Sequence, residues 1–215
     1  MSAMRPLAML GGTFDPVHNA HLRVAWEAAE MLDADVRLIP ANVPPHRDQP
    51  IASATERAAI LRAALRGQDR LVVDERELGR DGPSWTIETL IELRDEIGPE
   101  RSLVLLVGAD AFLGLPSWHR WGELFDCAHI GVLTRPGHEI ATLPTELRIK
   151  VASRRTSDAN AIASTPSGRV LAMPVTPLEI SATLIREVLA AGGEPRYLMP
   201  DAVIDDPGLL SPYRR

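Results

Sequence analysis

The sequence predicts an α/β fold, with a doubly wound parallel sheet that carries helices on both faces. Short apolar runs alternate with segments of helical spacing along most of the chain, which is typical of parallel sheets with helical crossovers. Residues 103–107 contain no polar residue, which suits a central strand buried on both faces. Gly-Pro and Gly-Gly pairs follow two of the helical segments and mark where those helices end.

Apolar runs predict strands, in chain order, at residues 7–10, 36–39, 71–73, 103–107, 130–133 and 170–173. Asn19 is the predicted N-cap of the first helix, and the next helices are predicted at residues 54–65, 84–97 and 181–191. The small, polar stretch at residues 156–168 is predicted to be a mobile loop. In a sheet of this kind ligands bind beyond the carboxyl ends of the strands, and the candidate motifs begin at those ends.

The bulk composition narrows the class of protein. The chain has 215 residues, which fits a single domain over residues 1–215, and 23 Lys and Arg against 29 Asp and Glu give a net charge of −6. An acidic chain of this kind does not present a general surface for nucleic acid or membranes. With Cys127 alone no internal disulfide is possible, and the stretch before Gly11 is shorter than a secretory signal, so we expect a cytoplasmic protein.

The stretch Gly-Gly-Thr-Phe-Asp-Pro-Val-His-Asn-Ala-His at residues 11–21 is the most informative motif. It reads as a strand end, a glycine turn and a helix start. Glycines let the backbone approach a ligand closely, and the N–H groups at a helix start attract phosphate. The pair His18 and His21 could instead hold a metal, but metal sites usually need three or four ligands. The motif therefore predicts a phosphate-binding turn with Gly11, Gly12, Thr13 and Phe14 beside two catalytic imidazoles.

Further candidates lie near other predicted strand ends. In Ile-Ser-Ala-Thr-Leu-Ile-Arg at residues 180–186, Ser181 suits an N-cap, and Thr183 and Arg186 share a helix face that can bind one anion. Asp110 follows a strand and suits a ribose hydroxyl. His46 and Arg47 provide two basic groups on the stiff loop Pro-Pro-His-Arg at residues 44–47.

These motifs together resemble those of the nucleotidylyltransferases with an H-x-G-H type motif, and most of all the nicotinate mononucleotide adenylyltransferase family. The resemblance covers nearly the whole chain and implies a Rossmann-like fold with a small C-terminal helical part. Three positions depart from the family pattern: Ala20 replaces a glycine, Arg47 a lysine and Trp85 a common tyrosine.

The resemblance also implies site roles. His18, His21 and Arg186 would act on the ATP phosphates, and Arg135 would lie near the adenylyl group. Arg47, with His46, would contact the phosphate of the mononucleotide. Trp118 would stack on the pyridine ring, and the loop with Trp85 and Thr86 would bind the nicotinate carboxylate.

The implied reaction joins ATP, carried with Mg²⁺, and nicotinate mononucleotide to give nicotinate adenine dinucleotide and pyrophosphate. Three alternatives stay open: a related transferase for another phosphate such as phosphopantetheine, a nucleotide-binding regulator, and a nucleic-acid-binding module. The motifs and the acidic charge balance disfavour them. Self-association into a homo-oligomer is possible.

Overall fold

The computed structural model describes residues 4–43, 49–135 and 142–214. In this part of the chain seven strands form one sheet in the order β3-β2-β1-β4-β5-β7-β6, with every neighbouring pair parallel. Their bounds are Leu7–Gly12 (β1), Asp35–Pro40 (β2), Leu71–Val73 (β3), Leu103–Gly108 (β4), His129–Thr134 (β5), Arg155–Thr156 (β6) and Val170–Pro174 (β7). The predicted α/β class with a doubly wound parallel sheet is confirmed.

Helices cover both faces of this sheet. The α-helices are Asn19–Leu32 (α1), Ala54–Ala64 (α2), Thr86–Ile97 (α3), Ala109–Leu113 (α4), Leu124–Cys127 (α5), Thr145–Val151 (α6), Ala159–Ala163 (α7), Ala182–Ala190 (α8) and Asp201–Ile204 (α9). Short 3₁₀ helices lie at Arg76–Gly79, Leu115–Ser117, Trp121–Glu123 and Ser211–Tyr213. Helices α1, α2, α7, α8 and α9 contribute to the core on one face, and α3 to α6 to the core on the other.

The central strand β4 shows why the sheet is buried on both sides. Val104 and Leu106 point into the core beneath α1 and α2, whereas Leu103, Leu105 and Val107 point into the core beneath α3 to α6. Alternate residues of a strand face opposite sides, so a run without polar residues feeds both cores.

Three details of the predicted elements are wrong. The N-cap of α1 is His18 rather than Asn19, and α3 begins at Thr86 with Trp85 as its N-cap rather than at Ser84. The stretch 156–168 is not a loop throughout, because it contains the end of β6 and the short helix α7. The side chain of Asp158 caps α7 by accepting from the Asn160 N–H at 2.9 Å, and Ile162 packs into the core.

The order of the strands positions the site. Strand β1 lies between β2 and β4, so successive connections leave β1 toward opposite edges of the sheet. Such a reversal opens a crevice at the carboxyl ends of the two central strands, which here are Gly12 and Gly108.

Candidate active site

A cavity of about 1370 Å³ lies at this crevice. One end, which we call the histidine end, is lined by His18, His21, Ser181, Thr183 and Arg186. The other, the tryptophan end, is lined by Trp85, Thr86, Trp118 and His119. The cavity therefore joins segments from both halves of the chain.

The two histidines lie face to face at the start of α1. Their ring centroids are 3.7 Å apart and the ring planes differ by 21°. The backbone N–H of His18 donates to Nδ1 of His21 at 3.3 Å. A neutral His21 ring that accepts at Nδ1 carries its proton on Nε2, so its Nε2–H is in the donor form.

His18 is a buried, neutral imidazole. Burial lowers the pKa of His18 from 6.5 to about 4, so that the ring is uncharged at neutral pH. Its Nδ1 atom is buried and makes no hydrogen bond with the described part of the chain. His18 can therefore offer a hydrogen bond to a ligand, but in the absence of an anion it does not bring a positive charge.

Arg186 supplies the charge at the histidine end. Ser181 caps α8 by accepting from the Leu184 N–H at 3.1 Å, as predicted, and this places Arg186 one turn into the helix. Its Nη2 donates to Oγ1 of Thr183 at 3.2 Å, and its Nη1 donates to the carbonyl oxygen of Asp15 at 2.8 Å. The guanidinium thus connects the start of α8 to the turn that holds the histidines.

Two buried residues that the sequence analysis did not assign support this turn. Arg57 is 1% exposed and donates to the carbonyl oxygens of Thr13 at 2.5 Å and Ala41 at 2.7 Å. Tyr213 donates its hydroxyl to the Asp15 carboxylate at 2.8 Å. The helical spacing of α2 could have indicated that Arg57 is buried, because Arg57 lies one turn before the buried Leu61. No local sequence pattern predicts the contact of Tyr213 with Asp15, because the two residues are 198 positions apart.

The tryptophan end combines aromatic rings with the start of a helix. The rings of Trp85 and His119 are in contact, with centroids 4.8 Å apart. Trp118 is partly buried against the core beneath α3 to α6. Thr86 is the first residue of α3, and its backbone N–H lies among those that the helix itself cannot satisfy.

Most of the predicted site residues come together in this cavity. Its lining includes His18, His21, Arg186, Gly11, Gly12, Thr13, Phe14, Asp110, Ser181, Thr183, Trp85, Thr86 and Trp118. Arg135 is exposed directly after β5 and does not line the cavity within the described chain. His46 and Arg47 lie outside the described residues. Asp15, Glu77 and His119 also line the cavity and were not singled out from the sequence.

In the part of the chain that the structure describes, no group of three or more His, Cys, Asp or Glu side chains is arranged to hold a metal ion. Within the same ranges, no helix has both the length and the apolar character that crossing a membrane requires.

The fold and the cavity together indicate a transferase that binds nucleotides. Comparison with known protein families agrees, because the family model described as cytidylyltransferase-like matches residues 9–188. A Pseudomonas entomophila (strain L48) protein named "Probable nicotinate-nucleotide adenylyltransferase" is 50% identical over 203 residues, covering 94% of this chain and 92% of the relative. A protein of the same name from Dechloromonas aromatica (strain RCB) is 46% identical over 212 residues, covering 97% and 98%. Within the cytidylyltransferase-like proteins, this chain belongs to the nicotinate-nucleotide adenylyltransferase family.

Solved structures support the fold. The Plasmodium falciparum nicotinic acid mononucleotide adenylyltransferase complexed with NaAD matches with a TM-score of 0.65 at 14% identity, covering 98% of this chain and 96% of that chain. At that identity the likeness concerns the fold alone.

Proposed function

We propose that this protein transfers the adenylyl group of magnesium-ATP to the phosphate of nicotinate mononucleotide, with release of pyrophosphate. The product is nicotinate adenine dinucleotide, an intermediate of NAD biosynthesis. This is the activity named for the relatives, which match more than nine tenths of the chain. Magnesium enters as part of the ATP substrate, and the one-domain organisation, cytoplasmic location and self-association stay predictions.

The observation that carries the proposal is the contact between Arg186 and the Asp15 carbonyl. It brings a cation from α8 to the turn that carries the stacked histidines, although the two are 171 positions apart. A triphosphate bound there would meet imidazole donors, a guanidinium and two helix starts at the same time.

The chemistry asks for positioning more than for proton transfer. The second pKa of a phosphate monoester is about 6, so the attacking mononucleotide is already mostly a dianion at neutral pH. The reaction is proposed as direct in-line attack on the α-phosphorus of ATP, without a covalent enzyme intermediate. Holding both substrates in line can lower the barrier by about 7–11 kcal/mol. Arg186 offsets the charge of the departing pyrophosphate, while His18 and His21 act as hydrogen-bond donors.

The proposal assigns the rest of the cavity to the two substrates. Gly11, Gly12, Thr13 and Phe14 would line the ATP phosphates, Asp110 would bind a ribose hydroxyl, and Arg135 would lie near the adenylyl group. Trp118 would stack on the pyridine ring, and the Thr86 backbone N–H, beside Trp85, would bind its carboxylate. The phosphate of the mononucleotide is assigned to His46 and Arg47.

The test compares acceptors under identical magnesium-ATP. We expect pyrophosphate release with nicotinate mononucleotide, and much less with nicotinamide mononucleotide or phosphopantetheine. Stacking on Trp118 does not distinguish acid from amide, so the discrimination must come from donors at the start of α3 that favour a carboxylate. Leaving such donors facing an amide N–H₂ can lower kcat/KM by up to about 10⁴-fold. Equal kcat/KM for acid and amide would contradict the assignment of Thr86.

A further inference from the structure

The carboxylate of Asp15 is an unexpected group in a site proposed for a triphosphate. It is 7% exposed and lines the cavity, in the same turn that carries His18. A carboxylate repels a bound phosphate, and burial without partners is costly, so such a group persists only where other groups satisfy its oxygens. The partners of Asp15 therefore indicate its role.

Three donors from distant segments satisfy the two oxygens of this carboxylate. Oδ2 accepts from the backbone N–H of Ile51 at 2.9 Å, and Oδ1 accepts from that of Ala52 at 3.1 Å. The hydroxyl of Tyr213 also donates to Oδ1, at 2.8 Å. Burial, and then the adjacent carboxylate, raise the pKa of the Tyr213 hydroxyl. The hydroxyl therefore stays protonated and remains a donor at neutral pH.

Arg186 lies against the same residue. Its Nη1 donates to the carbonyl oxygen of Asp15 at 2.8 Å, whereas Oδ2 of the Asp15 carboxylate is 4.0 Å from that nitrogen. The guanidinium is thus held by a neutral carbonyl group and is not drawn into a close ion pair. If the carboxylate lost one of its other donors, it would compete with the phosphates for this cation.

Packing fixes the position of Tyr213 beside α8. Tyr213 is 3% exposed and lies in the core that also contains Ile185 and Leu189 of α8. The 3₁₀ helix Ser211–Tyr213 packs against α8 itself. This short helix therefore contacts the element that carries Arg186 and also donates to the turn that carries the histidines. Of the three donors to Asp15, Tyr213 is the side chain, so its hydroxyl can be removed without changing the backbone.

We propose that Tyr213 is a positioning residue for ATP, because its hydroxyl holds the Asp15 carboxylate away from Arg186 and so keeps the guanidinium available to the phosphates. The inference rests on the proposed function. Tyr213 is not among the described residues that line the cavity, so it acts through Asp15 and Arg186. Small misplacements of a binding group are costly, so the loss of this one hydroxyl should be measurable.

The test is a double-mutant cycle of Tyr213→Phe and Arg186→Ala. Phenylalanine keeps the ring in the core and removes only the hydroxyl. We expect Tyr213→Phe to lower kcat/KM for ATP about tenfold, with KM for nicotinate mononucleotide within about twofold. In the Arg186→Ala background the same change should cost less than about twofold, because the residue through which Tyr213 acts is then absent.

Two control variants separate this role from a loss of stability. Tyr197→Phe makes the same chemical change at a tyrosine that is 80% exposed, and it should leave the kinetic values of the parent unchanged. Val203→Ala truncates a fully buried side chain of α9 in the same core, and it should lower Tm without a selective loss for ATP.

Three outcomes would overturn the proposal: parent-like kinetics of Tyr213→Phe, an equal loss on both substrates, or losses that multiply in the double mutant. Failure of the proposed function would be seen earlier and in a different way. The parent enzyme would then release no pyrophosphate with nicotinate mononucleotide, before any variant is compared.

Discussion

At the histidine end of the cavity, guanidinium groups are held by backbone carbonyls: Arg57 binds those of Thr13 and Ala41, and Arg186 binds that of Asp15. At the tryptophan end the arrangement is reversed, since the carboxylate of Glu77 accepts a hydrogen bond from the side-chain hydroxyl of Thr89. A site for a highly charged anion needs fixed positive charge, whereas an aromatic ring is held mainly by stacking against another ring. The comparison indicates that buried charge serves the two ends in different ways.

The buried groups also give the two ends opposite linkage to pH. The pKa of His18 is about 4 in the folded chain and 6.5 in the unfolded chain. Between pH 6.5 and about pH 4 the unfolded chain therefore binds more protons than the folded chain, and the stability of the fold decreases as the pH falls. The pKa of Glu77 is raised above 4.5, so the folded chain holds its proton to higher pH, and its contribution to stability falls as the pH rises above 4.5. Each end can therefore be examined separately.

Replacing His21 tests the histidine end most directly. His21→Ala should lower kcat by about 10²–10³, the scale for removing one preorganised donor to the transition state. KM for either substrate should change less, because the contact strengthens as charge develops. The measurement is kcat at saturating substrates, with Trp118→Ala as the matched change at the other end, where KM for the mononucleotide should rise instead. Turnover of His21→Ala within about threefold of the parent would remove His21 from this role.

The low pKa of His18 predicts a pH-dependent stability. A shift from 6.5 to about 4 corresponds to roughly 3 kcal/mol of unfolding free energy, present above pH 6.5 and lost as the pH falls through about 4. Urea unfolding of the parent and of His18→Gln at pH 7.5 and pH 4.5 should show a smaller loss in the variant. Val17→Ala changes a buried neighbour that does not titrate, so it should lower the unfolding free energy by the same amount at pH 7.5 and at pH 4.5. A variant as pH-sensitive as the parent would refute the linkage.

Replacing Arg186 should impair the use of ATP more than the use of the mononucleotide. Arg186→Ala should lower kcat/KM for ATP by about 10–100-fold, because a hydrogen bond to a charged group is worth about 1.5–3 kcal/mol. KM for the mononucleotide should change little. Arg196, whose ion pairs with Glu194 and Asp201 lie on the surface, gives the control variant Arg196→Ala. An equal loss on both substrates would show that the two ends are not independent.

The sequence predicted the parallel sheet, and it singled out residues such as His18 and His21 that line one cavity, for identifiable reasons. The strand at residues 103–107 is apolar throughout, and the turn at residues 11–21 carries its signals within eleven consecutive positions. Local patterns of this kind are read directly from composition and spacing. The helix α7 was missed because five residues with one capping side chain give too short a pattern.

Supports that join distant segments could not be predicted in this way. Tyr213 reaches Asp15 across 198 positions, and Ser84 reaches Asn42 across 42, each by a single hydrogen bond. Neither side chain belongs to a periodic pattern that indicates its partner. Glu77 resembles any acidic residue of a surface turn until the fold buries it against Thr89. Tertiary contacts therefore determine how the predicted residues are held.

The two glycines at the histidine end make the smallest and most discriminating comparison. A Cβ at Gly12 would lie 2.9 Å from Cζ of Phe14, a buried residue whose backbone φ is +50°, so Phe14 would have to move. We expect Gly12→Ala to lower the unfolding free energy by about 1–3 kcal/mol, the usual cost of overpacking.

Gly11 provides the matched change, because a Cβ there would meet only Cε of Met9, at the ordinary contact distance of 3.5 Å. Gly11→Ala should therefore keep the parent's Tm. If a ligand phosphate approaches this backbone closely, the added methyl group should still raise KM for ATP. Thermal unfolding and ATP kinetics of both variants separate the two reasons for a glycine: Gly12 serves the packing of Phe14, and Gly11 the approach of the ligand. Parent-like KM for ATP in Gly11→Ala would mean that the triphosphate does not lie against residue 11.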